Sequence, residues 1–111
     1  MSELIKLDAR RQEIIIEIGS IRSMKKGTLN EKYNRVTNKN GEEILNGPYY
    51  VLTKKGVGNK TISENVIAEE ASRVQEEVDN YKRFKQLTDE YMDICEKLSQ
   101  FVGSEDEGKK N

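Results

Sequence analysis

The sequence contains no histidine and no tryptophan, and it has one cysteine, Cys95, and one proline, Pro48. Without histidine, catalytic triads with an imidazole base and zinc sites built from cysteine and histidine are excluded within one chain. A single cysteine excludes an internal disulfide. We interpret Cys95, which follows Ile94, as a small apolar core residue, because no base accompanies it as a nucleophile. We therefore expect no enzyme activity, no metal and no cofactor.

Long apolar runs are also absent. None approaches the ~18 residues of a membrane-spanning helix, and the N-terminus lacks a signal-peptide core, which predicts a cytoplasmic protein without membrane contact. The hydrophobic fraction is 34% and the charged fraction 35%, against averages of roughly 45–50% and 25%. This balance is typical of long, thinly buried helices whose apolar stripe a partner or a second copy covers. We expect one domain over residues 1–102 and a disordered polar tail over 103–111.

Two segments carry the three- and four-residue apolar spacing of amphipathic helices. The first, residues 2–24, is expected to end before Gly27, because Lys25 and Lys26 suit the negative end of a helix and glycine suits the position after it. The second covers residues 65–101 and contains no glycine or proline. At 1.5 Å per residue the second helix is about 54 Å long and the first about 34 Å. The first helix therefore cannot cover the whole apolar stripe of the second.

The residues between the helices predict a three- to four-stranded antiparallel β-meander. The expected fold is α+β, with the long C-terminal helix packing antiparallel on the first. Asn40-Gly41 predicts a type I′ turn, which needs positive φ at both central residues and would place Val36 opposite Leu45. Asn46-Gly47 predicts a second turn.

The segment from Pro48 to Ser63 is the strongest β signal of the chain. A three-residue loop, Gly56-Val57-Gly58, would pair Leu52 with Ile62. In this register Tyr50, Leu52 and Ile62 share one face and are expected in the core. The residues expected on the other face are Tyr49, Val51, Thr61 and Ser63.

Charge is segregated along the chain. Residues 20–60 carry nine Lys/Arg and three Glu, whereas residues 61–80 carry six acidic residues and one Arg. A basic hairpin region that also contains tyrosines is typical of surfaces that contact phosphates and stack on bases. The expected nucleic-acid-binding residues are Arg22, Lys25, Lys26, Tyr49, Lys54, Lys55 and Lys60. Alternatively, the lysines protect sheet edges from pairing and the tyrosines pack in the core.

The second helix supplies candidate partner-binding residues. Its acidic first half would mimic a phosphate track or dock on a basic groove, or it would neutralise the basic hairpins internally. Its distal apolar residues would form a homodimer through the long helix, because the first helix is too short to cover them. The expected partner-binding residues are Glu69, Glu70, Glu76, Glu77, Tyr91 and Leu98.

The order of several short motifs resembles a small uncharacterised prokaryotic domain that is met beside transposases and other mobile elements. These motifs are Gly27-Thr28-Leu29, Glu31-Lys32, the Gly47-Pro48-Tyr49-Tyr50-Val51-Leu52 segment, Lys60-Thr61 and the helix segment Val78 to Leu87. Members of the family also carry clustered cysteines before the Gly-Pro pair, which resemble a zinc knuckle. This chain has none there, so a hairpin without metal would replace it. The resemblance implies mobile-element or phage biology and no established activity.

Two functions follow as hypotheses. The leading one is a non-enzymatic nucleic-acid-binding accessory or regulatory protein of a mobile element or phage, although the sequence pI of about 5.6 is low for an autonomous nucleic-acid-binding domain. The alternative is a protein-binding inhibitor or adaptor, such as a phage antagonist of a host defence nuclease. The second rests on small size, charge segregation and surplus helix surface.

Overall fold

The computed structural model describes residues 2–109, and the side chains of residues 2–102. Its elements are α1 (Glu3–Ser20), β1 (Thr28–Thr37), β2 (Glu43–Lys55), a short 3₁₀ helix (Val57–Asn59), β3 (Thr61–Val66) and α2 (Ala68–Lys109). The predicted α+β class is confirmed, with three antiparallel strands and a long C-terminal helix that packs on the first. Neither helix is long and apolar enough, over its described residues, to traverse a lipid bilayer.

The chain divides into two compact units. The helical unit comprises Met1–Arg22 and Lys82–Asn111, and the sheet unit comprises Ser23–Tyr81. In the helical unit α1 and the distal part of α2 enclose a core of Ile14, Leu87 and Ile94. The half-buried residues packed against this core are Leu7, Ile18, Ile21, Tyr91 and Leu98. Whether the two units fold as the single domain expected over residues 1–102 stays a prediction.

The first helix is shorter than predicted. It begins after Ser2, whose hydroxyl accepts a 3.2 Å hydrogen bond from the N–H of Ile5, and it ends at Ser20. The prediction that it continues to residue 24 is wrong, because the backbone is already extended at Ile21. Gly19 and Ser20 are weak helix formers, and the Ser20 hydroxyl donates to the Glu17 carbonyl at 2.6 Å.

The first hairpin differs from the predicted register by one residue. Val36 lies opposite Ile44, and not Leu45. Of the two predicted turn residues, Asn40 and Gly41, only Gly41 has positive φ, at 78°, so the turn is not type I′. A three-residue loop with a glycine bulge is formed instead. Asn38 stabilises it, because its side-chain oxygen accepts hydrogen bonds at 2.9 Å from the N–H groups of both Asn40 and Glu42.

The predicted turn at Asn46-Gly47 is also wrong, because β2 runs through it without interruption. The irregularity there is a bulge in β2, because Lys32 lies opposite Tyr49 and Asn34 opposite Asn46, so that one residue of β1 faces the two residues Gly47 and Pro48. Gly47 has φ 138°, and a Cβ at this residue would lie 3.0 Å from the Lys32 carbonyl oxygen. The glycine therefore serves a close approach of two strands and not a chain reversal.

The second hairpin differs from the predicted register by two residues. Leu52 lies opposite Glu64, and Ile62 lies opposite Lys54. The loop comprises residues 56–60 and is closed by the Gly56 N–H donating to the Lys60 carbonyl at 2.7 Å. A shift of two residues keeps every side chain on the same face of the sheet. The predicted assignment of residues to the two faces is therefore retained.

The sheet of β1, β2 and β3 therefore has two distinct faces. The covered face packs on the first part of α2 through a core of Leu52, Val74 and Val78, with Leu29 and Val66 against it. Of the residues expected in this core, Leu52 is buried, Tyr50 is half-buried, and Ile62 is 46% exposed. The open face contains no buried residue. It consists of Thr28, Asn30, Lys32, Tyr49, Val51, Thr53, Lys55, Thr61, Ser63 and Asn65.

The second helix begins at Ala68 and extends to Lys109, beyond the predicted end at residue 101. The apolar spacing read from the sequence is confirmed, since Ala71, Val74, Val78, Leu87 and Ile94 are buried along it. The expectation of a disordered tail concerns residues 103–111. The structure does not describe the side chains of these residues, and residues 110 and 111 lie entirely outside the described part. That expectation stays a prediction.

Candidate nucleic-acid interface

Four of the seven residues predicted to bind nucleic acid come together at one end of the sheet. Lys25 and Lys26 lie in the connection that precedes β1, and Lys54 and Lys55 end β2. Because β1 begins opposite Thr53, the connection passes beside the last residues of β2. We call Lys25, Lys26, Lys54 and Lys55 the basic end.

A cavity of about 540 Å³ lies at this end of the sheet. No carboxylate is present among the described residues that line it. Its lining combines cations with hydroxyl groups: Lys26, Gly27, Thr28, Thr53, Lys54, Lys55 and Thr61. Ammonium groups neutralise an anion and hydroxyls donate hydrogen bonds to its oxygens, so this lining suits a phosphate group.

Hydrogen bonds within the sheet unit hold the connection in place. The Lys25 N–H donates to the Glu77 carbonyl at 3.0 Å, and the Asn80 side-chain amide donates to the Ser23 carbonyl, also at 3.0 Å. The Lys26 ammonium lies 5.9 Å from the centroid of the Tyr81 ring, within cation–π range. The backbone from which the two lysines project is thus positioned by α2.

Gly27 brings the connection close to β2. Its φ is +125°, and a Cβ there would lie 2.5 Å from the Thr53 carbonyl oxygen. A larger residue cannot make this approach without displacing the backbone. The sequence prediction that Gly27 caps the first helix was wrong, and its role is instead to shape the cavity.

Tyr49 lies towards the other end of the open face. Its side chain is 42% exposed and borders a second cavity of about 530 Å³. Lys32, Asn34 and Asn65 also line this cavity. An exposed tyrosine with amides beside it can stack on a base and hydrogen-bond to its edge.

The remaining two predicted residues do not line these cavities. Lys60 closes the loop before β3 and is exposed, but it lines neither the first nor the second cavity. Arg22 is exposed and belongs to the helical unit.

The acidic residues predicted to bind a partner divide into two pairs. Glu70 and Glu77 accept hydrogen bonds from Arg73, at 2.5 and 2.7 Å, so their charge is partly neutralised within α2. Glu69 and Glu76 are exposed. The Arg73 pKa is raised, chiefly by the hydrogen bond to Glu70. The first pair is therefore less available to an external cation than the second.

Tyr91 and Leu98, predicted to bind a partner, are half-buried against the core of the helical unit. The first helix therefore covers part of the stripe that was expected to need a second copy. Several apolar residues of this unit are still exposed: Leu4, Ile5, Ile15, Ile16, Met92 and Val102.

The distal parts of β1 and β2 form a two-stranded arm, residues 31–37 and 43–49, whose side chains are all exposed. Val36 and Ile44, opposite each other on one face, are 38% and 46% exposed. Leu45, on the other face, is 65% exposed. Tyr33 is anchored by its hydroxyl, which donates to Glu31 at 2.9 Å and whose pKa is raised by this bond.

Reading the sequence missed the neutral polar residues of the site. Thr28, Thr53 and Thr61 line the first cavity, and Asn65 lines the second. The only sequence signal for them is the two-residue alternation of polar residues along the strands, which becomes informative once the register is known. Comparisons with protein-family models, curated proteins and solved structures found no match, so the interpretation of this site rests on its own geometry.

Proposed function

We propose that this chain is a non-enzymatic nucleic-acid-binding accessory or regulatory protein, which contacts phosphates through the basic end. The observation that carries the proposal is the 540 Å³ cavity, whose described lining residues include Lys26, Lys54, Lys55 and three threonines and no carboxylate. Phosphate contacts of this kind supply most of the sequence-independent affinity for nucleic acids. The resemblance to a domain met beside transposases supports a role in a mobile element or phage.

The distribution of charge in the sheet supports the same function. Glu31 and Glu64, which lie within the paired strands, share the covered face, since they lie opposite Tyr50 and Leu52. A polyanion on the open face would therefore meet lysines and uncharged side chains only. This local asymmetry offsets the formal net charge of −1, which would otherwise repel nucleic acid.

A salt titration tests the proposal. Binding to a mixed-sequence oligonucleotide should weaken linearly on a logarithmic salt scale, and the double variant Lys54→Ala/Lys55→Ala should reduce the slope by about two. The matched control is Lys82→Ala/Lys85→Ala, which removes the same charge from exposed positions of α2. No binding at ~50 mM salt, or equal losses in the two double variants, would contradict the proposal.

A second candidate function, binding of a protein as an inhibitor or adaptor, is favoured by the arm. Val36 and Ile44 on one face are 38% and 46% exposed, Leu45 on the other face is 65% exposed, and exposed apolar patches mark protein contacts. A phage antagonist of a host defence nuclease would be one such protein. Capture of a partner that survives nuclease treatment and is lost with Leu45→Asp, but not with Lys54→Ala/Lys55→Ala, would favour this function.

A further inference from the structure

The open face of the sheet has a composition that the charge segregation of the sequence does not reveal. Its ten residues include no carboxylate, one aromatic side chain, Tyr49, and two lysines, Lys32 and Lys55. Between these lysines the side chains are short and mostly polar. Two of them are linked, since the Asn30 amide donates to the Thr53 hydroxyl at 3.3 Å.

The two cavities lie towards opposite ends of this face. The first contains Lys55 and Thr53, and the second contains Tyr49 and Val51. Lys55 and Tyr49 are on the same strand, six residues apart, so they are separated by about 20 Å. At the ~3.4 Å spacing of a helical strand this distance corresponds to about six nucleotides, and to fewer when the strand is extended.

We propose that the open face binds single-stranded nucleic acid, with phosphates at Lys55, where the open face meets the basic end, and an unpaired base on Tyr49. This inference rests on the proposed function and specifies its ligand. Charge complementarity favours a polyanion, because every side chain on the face is neutral or cationic. The single exposed aromatic ring favours an unpaired base, whose flat surface is available for stacking only outside a duplex.

The short side chains of the open face favour a single strand over a duplex. Readout of a duplex needs an element or long side chains that enter a groove. A two-stranded ribbon can enter the major groove, but the open face is three strands wide, so an extended strand that lies flat on it presents its base edges to the short Thr, Ser and Asn side chains. The amides of Asn30 and Asn65 then donate to and accept from base edges, as the ring of Tyr49 holds one base.

The test compares three labelled ligands of ~12 nucleotides that share the same mixed sequence. They are single-stranded DNA, single-stranded RNA and the DNA duplex. At equal salt we expect at least one of the single strands to bind ten-fold or more tightly than the duplex. Tyr49→Ala should weaken single-strand binding by about five- to one-hundred-fold. Tyr49→Phe should retain it, because the ring is kept. The matched control is Tyr33→Ala, which removes from the arm a tyrosine that is also exposed, at 51% against 42% for Tyr49.

A second variant on another strand guards against misfolding of Tyr49→Ala. Ser63→Glu introduces a carboxylate on the open face, at an exposed position opposite Thr53, and should weaken binding of single strands at least ten-fold. Equal or tighter binding of the duplex, or unchanged affinity in both Tyr49→Ala and Ser63→Glu, overturns this inference. The proposed function survives that result if Lys54→Ala/Lys55→Ala still lowers the salt slope, and absence of all nucleic-acid binding overturns both.

Discussion

Arg10 of α1 and Glu90 of α2 form a two-point ion pair, in which Nε donates to Oε2 at 2.7 Å and Nη2 donates to Oε1 at 2.9 Å. The same guanidinium contacts Glu17 at 3.4 Å, and Arg83 bonds to Glu17 in turn. The pair fixes the relative position of the two helices around the core of the helical unit. Bidentate geometry makes it stronger than an ordinary surface ion pair.

The ion pair predicts a pH dependence of stability. The hydrogen bond from Arg10 lowers the Glu90 pKa below the ordinary value of 4.5, and the hydrogen bond from Arg83 lowers the Glu17 pKa. A carboxylate with a lowered folded-state pKa stabilises the fold above its unfolded pKa, and this contribution is lost as pH falls through the folded value. We expect Glu90→Gln to be less stable than the unmutated chain at pH 7, with the difference shrinking below pH ~4.5.

Urea unfolding midpoints at pH 7, 5, 4 and 3 check this expectation. Glu96→Gln is the matched control, because it makes the same change at an exposed position of the same helix. Its curve should run parallel to that of the unmutated chain. A constant difference between Glu90→Gln and the unmutated chain from pH 7 to pH 3 would refute the role given to the pair.

The core of the helical unit predicts a large difference between two neighbouring isoleucines of α1. Ile14 is 0% exposed against Leu87 and Ile94, whereas Ile16 is 73% exposed. Truncating the buried side chain leaves a cavity, so Ile14→Ala should destabilise by about 2–5 kcal/mol. Ile16→Ala should change stability by no more than about 0.5 kcal/mol. Chemical denaturation measures both, and equal effects would mean that Ile14 is not in the core.

The surroundings of Gly27 and Gly19 predict opposite effects of a glycine-to-alanine substitution on stability. At Gly27 a Cβ would lie 2.5 Å from the Thr53 carbonyl oxygen with φ at +125°, whereas at Gly19 nothing lies within 4 Å. Gly27→Ala should destabilise by about 1–3 kcal/mol. Gly19→Ala, within α1, should stabilise by about 0.5–1 kcal/mol. Thermal unfolding of the two variants measures the contrast, which would be contradicted by a neutral Gly27→Ala.

Helix periodicity and strand alternation were the parts of the fold that could be predicted. The three- and four-residue spacing from Ala71 to Ile94 identified the buried stripe of α2, because burial of one face determines it. The covered face was assigned correctly although the pairing of Leu52 was wrong by two residues. A register error of two residues leaves each side chain on the same face, because side chains alternate between faces with a period of two.

Turn details could not be predicted because they depend on single side chains. Asn40-Gly41 favours a two-residue turn by its composition, but the side chain of Asn38 stabilises a three-residue loop instead. Asn46-Gly47 has the same composition and lies within a strand. In the site, charge identified the lysines of the basic end, whereas the neutral residues of the open face carry no such signal until the register is known.

Self-association through the long helix stays a prediction, and the exposed apolar residues of the helical unit give it a sharper test than Leu98, which packs against the core. Met92 of α2 is 56% exposed, and burying a side chain of this size contributes roughly 1.5–3 kcal/mol. We expect a dimer at ~100 μM in sedimentation experiments, weakened by Met92→Glu without loss of helix content. Val57→Glu is the control, since Val57 is 96% exposed in the loop of the sheet unit. If the unmutated chain sediments as a monomer at that concentration, α1 alone covers the stripe and the long helix does not dimerise.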